Sequence, residues 1–100
     1  MRGSRTGRPV MALLDLLGRR MALRILWELS RADAPLTFRA LQGAADTNPA
    51  LLNTRLKELR AAGLVVHGGD GYSLSKDGQA LLLRLLPLVD WADQWAAGSK

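Results

Sequence analysis

Asn53 and Lys57 stand four residues apart in the stretch NPALLNTRLKELRAAGLV, residues 48–65. On a helix that spacing puts them on one face. Asparagine can pair bidentately with adenine, and lysine can meet a guanine edge or a phosphate. Backbone N–H groups at the Asn48 end of such a helix can hold a phosphate. The same residues would also suit an ordinary solvated helix face. Other chemistry is scarce. The chain has no cysteine, which excludes disulfides, thiolate zinc sites, thiol nucleophiles and thiol redox sensing. Its single histidine, His67, removes a His-based metal site and argues against a His-dependent hydrolase. No carboxylate pair or nucleophile–base motif occurs, and the segment GGDG lacks the Lys-Ser/Thr of a phosphate loop. The expectation is a protein that is not an enzyme and has no catalytic residue, metal or cofactor.

A helix that reads a partner must be held by others. Leu52, Leu56 and Leu59 repeat at four and three residues and fix one face against a core. Asn48 reads as the cap of this helix, Pro49 as its first residue and Gly63 as its stop, a helix over 49–62. Its opposite face carries Ala50, Asn53, Thr54 and Lys57, followed by Arg60 and Ala61. Upstream, Thr37 caps a short helix, FRALQGAA, in which Phe38 and Leu41 face the core. Thr37 and Arg39 of that segment join the candidate DNA-binding set. Pro35 makes DAPLT a turn followed by a short extended piece. Two further helices precede it, one over residues 10–17 ending at Gly18, the other over about 20–31. Downstream, LVVH and YSL read as strands joined by GGDG, and Ser75 caps a last helix over about 75–97.

One hundred residues make one domain, and 48% hydrophobic residues with three tryptophans make a folded one. Residues 1–9, MRGSRTGRP, read as a flexible basic arm, leaving 10–100 as the domain; MRGS also resembles the start of some expression tags. No apolar run reaches the length of a membrane span and no signal core is present, so a cytoplasmic protein without a membrane partner is expected. The net charge of +5 is uneven: residues 1–60 carry +6 and residues 61–100 carry −1. A basic amino-terminal portion favours a polyanionic partner, here double-stranded DNA.

Two short helices joined by a tight turn and followed at once by a hairpin describe a winged helix-turn-helix. The expected class is α+β, mostly helical, with a short three-stranded β element and a C-terminal dimerisation helix. That last helix, GQALLLRLLPLVDWADQWAAG, is apolar on more than one face and interrupted by Pro87. A helix apolar nearly all round must be buried nearly all round, and one small domain covers only part of it. A homodimer interface is therefore expected from Leu82, Leu85, Leu86, Leu88, Val89, Trp91 and Trp95, with Val10 and Leu14 of the first helix. Two recognition helices about a two-fold axis would meet successive major grooves ~34 Å apart, so the operator is an inverted repeat.

Four segments in order resemble the HxlR-type winged-helix transcriptional regulators, a bacterial and archaeal group related to MarR-like proteins. RPVMALLDLLGRRMALRIL resembles the family's opening, and PLTFRAL the segment before its first helix-turn-helix element. NPALLNTRLKELRAAGLV resembles its recognition helix, and YSLSKDGQALL its closing strand and last helix. The resemblance implies a prokaryotic regulator that binds operator DNA as a homodimer, with Asn48, Ala50, Asn53, Thr54 and Lys57 on the DNA-facing surface. Four departures stand out. Ala50 and Thr54 occupy positions often basic in the family, and Met21 replaces a usual tryptophan. The wing is short, with Asp70 where arginine is common, and Arg8 stands where many members carry a sensing cysteine. Repression is favoured over activation, because so small a chain has little spare surface for polymerase. A small-molecule effector remains open, in an apolar cleft near Met11, Met21 and Trp91. The alternative is a winged-helix protein-interaction module with weak or no sequence-specific DNA binding.

Overall fold

The structure, a computed structural model, describes residues 8–98. Of the arm expected over residues 1–9, residues 1–7 lie outside those described. Pro9 already belongs to the first helix, α1 (Pro9–Leu17), with Arg8 as its N-cap. Proline at the first helical position loses nothing, because its N–H would be unpaired there anyway. The second helix, α2 (Ala22–Arg31), starts later than the periodicity suggested, since Met21 takes a left-handed backbone with φ of 72°. The chain reverses there within a tight turn, and the amide of Ala22 donates to the carbonyl of Arg19.

Helix α3 (Phe38–Ala45) and helix α4 (Pro49–Ala61) begin where their caps predict. Thr37 accepts from the amide of Ala40, and Asn48 accepts from that of Leu51. Beyond α4, Gly63 has φ of 78°, a backbone that only glycine enters at little cost. Strands β1 (Val65–Gly68) and β2 (Gly71–Leu74) pair antiparallel, with Val65 opposite Leu74 and Gly68 opposite Gly71. Among the described residues the sheet has two strands, not the three expected. The third piece is a single bridge in which Leu36 and Tyr72 exchange hydrogen bonds of 2.9 and 2.7 Å. Pro35 offers no N–H before Leu36, and Thr37 leaves at once to cap α3, so one residue is all that can pair. Gly71 is required here: a Cβ on it would lie 2.4 Å from the Leu36 carbonyl oxygen.

The last helix, α5 (Lys76–Gly98), runs through Pro87. Ser75 caps it, accepting from the amide of Gly78, and its hydroxyl donates to the Gly63 carbonyl just beyond α4. The core sits between α2, α3 and α4: Ile25, Leu26, Leu41, Leu52, Leu56 and Leu59 are all 2% exposed or less. Phe38 is only half-buried, tilted against Tyr72 at 6.5 Å. Leu82 of α5, expected at the dimer interface, is instead buried in the core of its own chain. It lies on the side of α5 that meets α2 and so is already covered within one chain. Among the described residues, no helix is long and apolar enough to cross a membrane.

Candidate nucleic-acid interface

α4 divides its residues by face. Its leucine stripe goes inward, and Ala50, Asn53, Thr54, Lys57, Arg60 and Ala61 all stay exposed. Two of the expected reading residues have local work as well. The Asn48 amide oxygen is used in the cap, at 2.8 Å from the Leu51 nitrogen. The Thr54 hydroxyl donates back to the Ala50 carbonyl at 3.1 Å. Asn53 and Lys57 have no such intramolecular bond among the described residues, so their side chains are available to a partner. Arg39 of α3 is likewise exposed. Thr37 is exposed too, and the structure groups it with the wing, where it lines a cleft of about 230 Å³ with Asp70 and Gly71.

The helix is held in place by a charged network invisible to periodicity. Arg55 donates from Nε to the Arg20 carbonyl at 2.8 Å and from Nη1 to Glu58 at 3.0 Å. Glu58 also receives Arg19, at 2.6 Å. Two residues of α4 thus tie it to the turn between α1 and α2, immediately before the left-handed Met21. A second tie comes from Arg24, which pairs with Glu28 at 2.9 Å and donates to the Ala44 carbonyl at the end of α3. Arg55–Glu58 and Arg24–Glu28 are local helical pairs, but the three contacts between elements link residues 20 to 39 apart in sequence, and no local pattern signals those. They also consume three of the cations that make the amino-terminal portion basic. Among the described residues, Arg39, Lys57 and Arg60 are not consumed in this way.

The wing is a two-residue turn, Gly69–Asp70, with an acidic tip. Behind the tip, His67 lies flat on Tyr72, with ring centroids 3.9 Å apart and planes at 7°. A negative tip would repel a phosphate backbone.

The candidate interface residues of α1 and α5 differ from Leu82. Val10 and Leu14 are exposed, as are Leu86, Leu88, Val89, Trp91 and Trp95, and Leu85 is half-buried against the core. Trp91 and Trp95 stack with centroids 6.0 Å apart. An apolar cleft of about 460 Å³ opens between α2 and α5, lined by Leu23, Trp27, Leu85, Leu88, Val89 and Ala92 among others. It is not lined by Met11, Met21 or Trp91, where the sequence suggested a cleft. Among the described residues, no group of three or more His, Asp or Glu is arranged to hold a metal ion.

No family model matches the chain, and no curated protein matches it. Solved structures do. A structure described as "a possible HxlR family transcriptional factor" from Thermoplasma volcanium GSS1 superposes with a TM-score of 0.75 at 22% identity, covering 85% of this chain and 82% of that one. Quinone-bound YodB from B. subtilis gives a TM-score of 0.78 at 29% identity, over 85% of this chain and 96% of that one. The MarR family protein Rv2887 of Mycobacterium tuberculosis gives 0.71 at 29% identity, over 91% and 70%. These likenesses bear out the resemblance to HxlR- and MarR-like winged-helix regulators and the mostly helical α+β class. They support a DNA-binding transcription regulator.

Proposed function

We propose that the chain is a sequence-specific DNA-binding repressor that acts in the cytoplasm as a homodimer on an inverted-repeat operator, without enzymatic activity. The observation that carries this is the face of α4: Asn53 and Lys57 lie exposed and unengaged while the opposite stripe is sealed in the core. Asn53 is the reading residue, through a bidentate contact to adenine, and Lys57 meets a guanine edge or phosphate. Ala50 and Thr54 are small and allow close approach, and the amides at the Asn48 end hold a phosphate. Thr37 and Arg39 supply backbone contacts from α3.

Leu86, Leu88, Val89, Trp91 and Trp95, with Val10 and Leu14 of α1, form the dimer surface. Their exposure supports this, because large apolar side chains left open on a small domain suit burial against a partner. The domain proper then starts at α1 rather than at residue 10. A quinone is bound in the YodB structure, which supports a small-molecule effector here too. In a chain without cysteine such a ligand would be held non-covalently, and the α2–α5 cleft is the apolar space that suits it.

The test is a salt titration on duplex DNA. Neutralising ~6 phosphates gives a log–log slope of affinity on salt near −5. A slope near zero with no sequence preference would instead favour a protein-docking module, the reading that the short acidic wing supports.

A further inference from the structure

A groove of about 510 Å³ runs between the C-terminal half of α4 and the root of the wing. It is lined by Lys57, Arg60, Ala61, Val65, Val66 and His67. Three of these six residues carry nitrogen donors, and all three are exposed. Among the described residues none of them makes an ion pair or a hydrogen bond. Arg19, Arg24 and Arg55 contrast with them, since each is paired with a glutamate. The stack on Tyr72 occupies the face of the His67 ring and leaves its nitrogen-bearing edge unengaged.

Resting on the DNA-binding reading of α4, we propose that Lys57, Arg60 and His67 form a phosphodiester seat at the wing root. The duplex backbone is gripped there, in place of the acidic wing tip. The guanidinium of Arg60 offers a planar fork that matches phosphate oxygens, and Lys57 adds a point charge beside it. Asp70 does not line this groove; it lines the neighbouring cleft that His67 shares with Thr37. A backbone seated at the root thus meets the two α4 cations first.

The third member makes the seat sensitive to pH. Histidine changes charge between pH 5 and 8. The groups facing His67 are Lys57 and Arg60 from α4, and Tyr72 and Asp70 from the wing. A seated phosphate favours the charged form. Binding then takes up protons, so affinity rises as pH falls through this window. His67 is the only histidine in the chain, which removes any competing histidine from the measurement.

The experiment is fluorescence anisotropy on a mixed-sequence duplex long enough for two half-sites, across salt and pH. The parent protein is compared with Arg60→Gln, His67→Phe and, as a charge control on α5, Arg84→Gln. Arg60→Gln should weaken binding uniformly across sequences and reduce the salt slope by roughly 1 per protomer. His67→Phe keeps a flat ring on Tyr72, should match the parent on the alkaline side, and should lose the gain on the acid side. Arg84→Gln should leave the salt slope and pH profile as in the parent. If the parent binds DNA and both groove variants keep its slope and pH profile, the seat is overturned and the α4 reading stands. If the parent does not bind DNA at any salt, both are overturned.

Discussion

Helix α4 buries Leu52, Leu56 and Leu59 to 2% exposure or less, whereas α5 leaves Leu83, Leu88, Trp91 and Trp95 between 53 and 67% exposed. Both helices are rich in leucine. In α4 the leucines fall on one stripe, so one chain satisfies them all and the surface left over is polar. In α5 they fall around the circumference, and its neighbours within the chain, α2 and β2, cover only part of it. The contrast separates two kinds of partner. A polar, unengaged face suits hydrogen bonding and charge, which respond to salt and sequence. An apolar remainder suits burial against another apolar surface, which depends on shape and is far less sensitive to salt.

The sharpest way to break this contrast is to truncate one leucine on each helix. Leu56→Ala should cost about 2–5 kcal/mol of unfolding free energy, by lost transfer energy and a cavity. Leu88→Ala, examined at a concentration where the chain is monomeric, should fall within about 0.5 kcal/mol of the parent. Denaturant unfolding reads both, and equal losses would mean that α5 is as much core as α4.

Next in size is the interface. Trp91→Ala should weaken self-association by about 2 kcal/mol, a shift of roughly 30-fold in dissociation constant. Sedimentation equilibrium checks it, and identical profiles for variant and parent would remove Trp91 as an anchor. On the polar side, Asn53→Ala should lose ~1–3 kcal/mol of discrimination between operator and non-operator DNA. Arg84→Ala, on α5, should discriminate as the parent does. Operator preference intact in the Asn53 variant would take that residue out of the reading role.

The smallest effect belongs to the tie between α4 and the α1–α2 turn. Glu58→Gln removes the shared partner of Arg19 and Arg55, both within reach of solvent, so the loss should be about 0.5–1 kcal/mol and should shrink at high salt. Thermal denaturation at two salt concentrations reads this. A loss that salt leaves unchanged would point to packing rather than charge.

What could be read before the structure follows the range of the signal. Caps and stops act within a turn, so Thr37, Asn48, Pro49, Gly63 and Ser75 marked their boundaries correctly. The apolar stripe of α4 has one period and one solution, so its exposed face was legible too. α5 has no such solution: with leucines all round, periodicity cannot say which side α2 takes, and Leu82, expected at a dimer interface, is buried within its own chain. The extended piece after Pro35 predicts a third strand, but Pro35 and Thr37 leave only one pairable residue, Leu36. The Arg19–Glu58 pair and the Arg55–Arg20 hydrogen bond join residues 39 and 35 apart in sequence, and nothing local encodes them.

The measurement that bears most directly on the reading of α4 is selection from a random-sequence duplex pool, sequenced after binding at two salt concentrations. An inverted repeat whose half-site centres lie about one helical turn, ~34 Å, apart should be enriched and should survive moderate salt. Binding that vanishes with salt and enriches no sequence would contradict it, leaving a basic winged scaffold whose partner is another protein.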